Sequence, residues 1–338
     1  MKATEELGKL VEAATTILIL QPEKPDTDSL TSSLALEQAL GDIGKTTTLY
    51  CRDAVPKYIA YLEGADRVHD VFPDKFDLTI IVDTGGPQAL SRTLEKYQGR
   101  LTKKPIAIID HHANREPMPF PLLEVIDATS TSTCEVVIEI CEQLGWKLNN
   151  DAASLLVPGI LADTRNLSIA TVTSKTFRTV ADMIDLGANI HQIHENYRSA
   201  DRLTPELLQL KGRLLNRMES YADGKIALVS VTPDELKAYA ELHDPADLVI
   251  YELQQLRDVA VGVVIRDYGG ETKKIKISTR ANLPVAAKAC MDFGGGGHDR
   301  AAGCQTNDRP LKEVKEAFVA SLTRHIKEYE ALQHPQSN

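Results

Sequence analysis

Short aliphatic runs that stop at aspartates constrain this chain most. The runs 16–20, 78–82 and 106–109 lead to Asp26 and Asp28, to Asp83, and to Asp110-His111-His112, and the apolar run 155–162 leads to Asp163. Carboxylates and imidazoles beside buried apolar segments are costly unless something binds them. A parallel sheet with its site at the carboxyl ends of the strands gathers these residues at one edge. Oxygen and imidazole donors with no nearby thiolate suit hard to borderline divalent ions such as Mn²⁺.

The first two-thirds of the chain alternate. Strands are expected over 16–21, 46–51, 78–82 and 105–109, and helices near 29–41, 88–98, 132–145, 150–162 and 173–187. This is the βαβ rhythm of an α/β domain with a mostly parallel sheet and helices on both faces. Gly85-Gly86-Pro87 interrupts the chain after the third run, and the Pro-rich stretch 116–121 reads as a loop. A charged helical stretch over 191–215 reads as a connector. Beyond it, 225–231, 259–265 and 272–278 read as strands of a smaller sheet, with helices near 233–242 and 310–331 covering it. Residues 334–338 read as a frayed tail. The expected organisation is an α/β domain over 1–190, a connector over 191–215 and a smaller C-terminal α/β domain over 216–333.

The 338 residues carry a net charge of −10, unevenly spread: residues 1–209 hold 20 Lys+Arg against 30 Asp+Glu, and residues 210–338 hold 18 of each. The deficit lies where the aspartates lie, and bound divalent cations would offset part of it. Long duplex nucleic acid needs a basic footprint and is excluded as a partner, whereas a small anionic ligand is compatible. The five cysteines form no CxxC pair, and Cys134 and Cys141 at i, i+7 read as buried thiols. This usage fits a reducing cytoplasm. No run has the length of a signal peptide core or a membrane helix, so the expectation is a cytoplasmic protein without membrane association.

Pro25-Asp26-Thr27-Asp28-Ser29, Val82-Asp83-Thr84, Asp110-His111-His112 and Leu161-Ala162-Asp163-Thr164 follow one another in that order. In wording and order they resemble the motifs of the DHH phosphoesterase superfamily. That group includes RecJ-type nucleases, nanoRNases that also act on phosphoadenosine phosphate, cyclic-dinucleotide phosphodiesterases and family II pyrophosphatases. The resemblance implies that Asp26 ligates a first metal, that Asp28, His111 and Asp163 ligate a second, and that Asp83 bridges the two. It implies that Asp110 orients an imidazole and that His112 meets the substrate phosphate. The implied cofactor is Mn²⁺ at two sites, with Mg²⁺ or Co²⁺ as alternatives, and the implied chemistry is phosphoryl transfer to water. One position departs. The family usually places a histidine four residues before its leading aspartate, and this chain has Pro22 there, between Gln21 and Glu23. The expectation is a weakly held first metal, or Gln21 or Glu23 in the histidine's place.

The second signature is Phe293-Gly294-Gly295-Gly296-Gly297-His298, followed by Asp299-Arg300-Ala301-Ala302-Gly303. Consecutive glycines let backbone N–H groups approach an anion closely, and the small residues behind them suggest a helix or strand packed tightly against the loop. The run resembles the GGGH loop of the DHH-associated C-terminal domain, which implies substrate binding by Gly295, Gly296, Gly297 and His298. Arg280 matches the basic residue such domains place near a substrate phosphate or base; a solvated strand-end arginine explains it equally. The basic Ser-Arg-Lys-Lys-type run of family II pyrophosphatases is missing, which favours a nucleotidic phosphoester.

The expected activity is therefore Mn²⁺-dependent hydrolysis of short oligonucleotides, dinucleotides or phosphonucleotides to mononucleotides. The substrate is expected in a cleft between the domains, with a hinge near 190–215 and a homodimer as the assembly common among relatives. A nucleotide-binding module impaired at Pro22, and a pyrophosphatase or polyphosphatase, are the alternatives. Residues 129–133 read as a helix N-cap, Trp146 as packing, His191 and His194 as a solvated helix face, and Arg165-Asn166 as a plain loop after Asp163.

Overall fold

A computed structural model describes residues 2–113, 115–200, 202–240, 242–270, 273–307 and 309–333. The tail at 334–338 lies outside the described residues. The chain divides into two units, Met1–Arg202 and Leu203–Asn338. The stretch 191–215 is split between them, with most of one helix in the first unit and nearly all of another in the second.

The first unit runs α1 (Lys2–Ala13), β1 (Thr16–Leu20), α2 (Thr27–Asp42), β2 (Thr46–Tyr50), β3 (Val68–His69), β4 (Leu78–Val82), α3 (Ser91–Leu101), β5 (Ile106–Asp110), β6 (Leu123–Ile126), α4 (Thr133–Leu144), α5 (Asn150–Asp163), α6 (Ser174–Asp185) and α7 (Ile190–Ala200). The sheet order is β3-β2-β1-β4-β5-β6, and every pairing is parallel. The central strands β1, β4 and β5 are largely aliphatic because both faces are covered. Ile17, Ile19, Ile80, Val82, Ala107 and Ile109 pack with the apolar faces of α1, α2, α4 and α5. Their neighbours Leu18, Leu20, Ile81, Ile106 and Ile108 pack on the other side with Leu94 and Leu101 of α3 and with Phe72 and Phe76. Strand order reverses between β1 and β4, and sheets of this kind open a crevice beyond the carboxyl ends at that point.

The second unit runs α8 (Pro205–Asn216), β7 (Glu219–Tyr221), β8 (Ile226–Val231), α9 (Pro233–Tyr239), α10 (Ile250–Gln254), β9 (Val261–Asp267), β10 (Ile275–Ala281), α11 (Ala286–Met291), β11 (Gly296–His298), β12 (Ala301–Thr306) and α12 (Leu311–Gln333). Its sheet order is β11-β12-β10-β9-β8-β7, and only β8 and β9 pair in parallel. One face packs with α11 and α12, the other with α8, α9 and α10. Strand β10 starts at Ile275, three residues later than expected, because Lys273 turns with φ +43°. No helix of the described residues is long and apolar enough to cross a membrane.

Candidate metal centre

The loop after β1 delivers two aspartates to the start of α2. Asp26 caps the helix: its carboxylate accepts the Ser29 N–H at 3.0 Å, and its own N–H donates to Ser29 Oγ at 2.9 Å. Asp28 is fully buried in the first turn. Its two oxygens accept the N–H groups of Thr133 at 2.6 Å and Cys134 at 3.0 Å, the leading amides of α4. Unpaired amides at a helix start, with the positive end of its dipole, favour a negative charge there. Helix α5 closes over this contact at Gly159, where an added Cβ would collide with Cys134 Sγ, Thr31 Oγ1 and Asp28 Oδ1.

Asp83 follows β4 with a left-handed φ of +52° and accepts the Thr133 hydroxyl at 2.9 Å. Asp110 is the last residue of β5. One of its oxygens accepts the Gly85 N–H at 2.9 Å; the other accepts the N–H groups of His111 and His112 and lies 2.6 Å from His112 Nδ1. That contact assigns the ring proton to Nδ1 and leaves Nε2 available. Asp163 reaches the same edge from the end of α5, the helix expected near 150–162, whereas the other aspartates follow strands. His111 Nε2 stands 3.3 Å from Asp163 Oδ2 and 3.7 Å from Asp83 Oδ1, and His112 Nδ1 stands 3.8 Å from Asp83 Oδ1.

Two triads emerge, Asp83 with His111 and His112, and Asp28 with His111 and Asp163, each with ligand atoms within 4.8 Å of one another. Asp26 belongs to neither triad, yet its carboxyl feels the charges of Asp163 and His112. The acids are short of positive charge. Burial first, and the charge of Asp163 next, push Asp28 up to about 7. Burial and the fields of Asp28, Asp26 and Asp163 push Asp83 well above the usual carboxylate range, and burial raises Asp26. Asp110 goes the other way: burial opposes its charge, but hydrogen bonds from His112 and Gly85 hold it low. Burial likewise opposes a charged His111, and the hydrogen bond to Asp163 with the charge of Asp28 outweighs it, raising the imidazole to about 9. Mutually repelling carboxylates with a raised His111 as their ion-pair partner fit one or two divalent cations. The adjacent Cys134 thiol is pushed far up by burial, so the donors are oxygen and nitrogen.

The two residues flanking Pro22 are placed differently. Glu23 accepts the Thr93 N–H at 2.6 Å and Arg92 Nε at 2.7 Å, which commits its carboxylate to α3. Gln21 is 1% exposed, and neither of its amide atoms has a hydrogen-bond partner. A buried polar group left so costs about 1–3 kcal/mol. After Asp163, the residues Arg165, Asn166 and Leu167 are all left-handed, with φ of +48°, +56° and +61°. Thr133, Gly85 and Gly159 are contributors that the sequence reading passed over. Capping explained the Ser/Thr run, and Ser132 does cap α4, so the second task of Thr133 left no separate signal. Trp146 packs against the core as expected.

In the second unit the glycine run is partly strand. Gly296, Gly297 and His298 pair with Gly303, Ala302 and Ala301 of β12. An added Cβ at Gly295 or Gly297 would strike the β12 backbone, so these glycines permit close strand packing as well as an open loop. The register sets His298 opposite Ala301, and Ala301 opposite Arg280 of β10. Directly paired residues share a face, so His298 and Arg280 flank the small Ala301 in one row, two strand spacings or about 10 Å apart. His298 is exposed, and the half-buried Arg280 lies over the Tyr251 ring at 5.5 Å.

Fold and site together define a doubly wound α/β protein that presents acids and imidazoles at its switch point, with a mixed-sheet domain following. The chain belongs to the DHH family: residues 16–160 match the DHH family N-terminal domain and residues 218–328 match the DHHA1 domain. It is 27% identical over 336 residues to the bifunctional oligoribonuclease and PAP phosphatase NrnA of Thermus thermophilus, covering 96% of this chain and 95% of the relative. It is 23% identical over 328 residues to the protein of the same name from Bacillus subtilis, covering 96% and 99%. Among solved structures, an exopolyphosphatase-related protein from Bacteroides fragilis aligns with a TM-score of 0.86 over 97% of this chain and 98% of its own, at 19% identity. At that identity the likeness speaks for the fold.

Proposed function

We propose that this protein is a phosphoesterase that hydrolyses short oligonucleotides and phosphonucleotides to mononucleotides, with Mn²⁺ as its metal. The observation that carries this reading is the convergence of Asp28, Asp83, Asp163, His111 and His112 at one sheet edge, with Asp28 and Asp83 raised by burial and mutual repulsion. The two relatives matched over nearly their whole length carry the names of an oligoribonuclease and PAP phosphatase. Bound divalent cations would supply charge stabilisation to the phosphoryl oxygens and to the attacking and leaving oxygens. Asp28, His111 and Asp163 would hold one cation, Asp26 would hold the other, and Asp83 would serve both. Asp110 fixes the His112 ring through Nδ1, so that Nε2 accepts or gives a proton at the substrate phosphate. The row of His298 and Arg280, with the backbone of Gly295, Gly296 and Gly297, would recognise the anionic nucleotide.

The test is metal-stripped protein resupplied with Mn²⁺ and assayed on di- to pentanucleotides, on an adenosine 3′,5′-bisphosphate and on pyrophosphate. Mononucleotide products from the first two, with pyrophosphate left intact, are expected. A second reading, nucleotide binding without turnover, is favoured by one observation: Pro22 offers no ligand and Glu23 is committed elsewhere. Tight nucleotide binding without product at saturating Mn²⁺ would select it. Pyrophosphate cleavage alone would reject both.

A further inference from the structure

Gln21 continues the β1 ladder, donating its N–H to the Tyr50 carbonyl at 3.1 Å. The register of β1 with β4 pairs Leu20 with Ile81, so Gln21 lies beside Val82, one residue before Asp83. Side chains alternate along a strand. Ile17 and Ile19 pack on the α2 side together with Val82, and Leu18 and Leu20 pack on the other. Alternation therefore places Gln21 on the α2 side of the sheet, the side on which the helix that follows Asp26 packs. There it is 1% exposed, and its amide oxygen and nitrogen both lack partners. Thr84 Oγ1, the residue after Asp83, is also buried without a partner. Native proteins leave few buried polar atoms unsatisfied, and a bound cation is one partner that would satisfy the Gln21 amide oxygen.

We infer that Gln21 supplies an amide oxygen to a cation held with Asp26 and Asp83, making this an all-oxygen position distinct from the imidazole-bearing position of Asp28, His111 and Asp163. The inference rests on the metal reading given above. Its consequence is chemical inequality. Oxygen-only donors suit hard cations such as Mg²⁺, whereas an imidazole strengthens binding of Mn²⁺ and Co²⁺. The protein would thus hold one Mn²⁺ tightly and a second cation weakly, and Mg²⁺ would compete at the second position alone.

The experiment is a Mn²⁺ titration of metal-free protein, followed by the electron paramagnetic resonance signal of free Mn²⁺, with and without excess Mg²⁺. Wild-type protein is expected to show two classes of site, the weaker one displaced by Mg²⁺. Gln21→His should tighten the weaker class by about 10-fold or more and make it resist Mg²⁺, and Gln21→Leu should weaken it by about 10-fold or more, with the tight class unchanged in both. Leucine replaces a partnerless amide with an apolar side chain of similar size, so folding is retained, and a melting curve verifies it. Two indistinguishable classes in wild-type protein, or classes that Gln21→Leu leaves unaltered, would overturn the inference while leaving the metal reading intact. No Mn²⁺ binding at all would overturn both.

Discussion

The two candidate sites of this chain are built in opposite ways. The acidic centre of the first unit draws on the ends of three strands and two helices, and Asp28, Asp83 and Asp110 are nearly or wholly buried. The basic row of the second unit comes from three adjacent strands, and His298 stands exposed. A buried charge must be over-determined by its surroundings. Asp28 takes two backbone amides, Asp83 a hydroxyl, and Asp110 three N–H groups and a ring nitrogen. An exposed side chain needs only a strand register to aim it.

The contrast predicts where substitutions hurt. The largest effect is expected at Asp83→Ala, which removes the carboxylate proposed above to serve both cation positions. Turnover on a short oligonucleotide should fall about 10²–10³-fold or more, and an unchanged rate would end the claim that the buried site does the chemistry. Next comes pH in the metal-free protein. Asp28 is raised from 3.8 to about 7 and His111 from 6.5 to about 9, so the folded state binds more protons than the unfolded chain between about pH 4 and pH 9. Stability therefore falls as pH rises through that window. Melting temperatures from pH 5 to 9 should decline, less steeply in Asp28→Asn, and added Mn²⁺ should flatten the curve; a rise with pH would contradict the charge balance described. Gly159→Ala should cost about 1–3 kcal/mol in denaturant unfolding, because α5 has no space for a methyl group over Asp28. The smallest effect belongs to the exposed row. His298→Ala should raise KM for a nucleotide about 10-fold with little change in kcat, and an equal loss on a simple aryl phosphate would deny it a recognition role.

Legibility follows the same divide. Strands β1, β4 and β5 show in the sequence because burial on both faces makes them largely aliphatic, and the acids that follow them mark the site. Helix α1 does not show, since only Thr4, Leu7 and Val11 of its residues are buried. Strand β3 has two residues, and β6 follows a Pro-rich loop that hides it. Asp163 reads as one more acid after an apolar run, and that run reads correctly as a helix, but only tertiary packing of α5 on α2 brings the carboxylate to His111. The glycine run is visible, but its strand pairing is not, because glycine carries little strand preference of its own.

The left-handed turn at Arg165, Asn166 and Leu167 ties Asp163 to a trade-off. Arg165 and Leu167 cost about 1–2 kcal/mol each in this conformation, which Asn166 adopts readily, and the turn is kept closed by the Asn166 N–H on the Leu161 carbonyl at 2.7 Å and the Leu167 N–H on Thr164 Oγ1 at 3.0 Å. Glycines there would make the protein more heat-tolerant while loosening the carboxylate just upstream. Thermostability selected at this turn would come at the expense of the fixed position of Asp163, so, if Asp163 holds a cation as proposed, a screen for hardier variants that ignores cation affinity would favour the wrong ones.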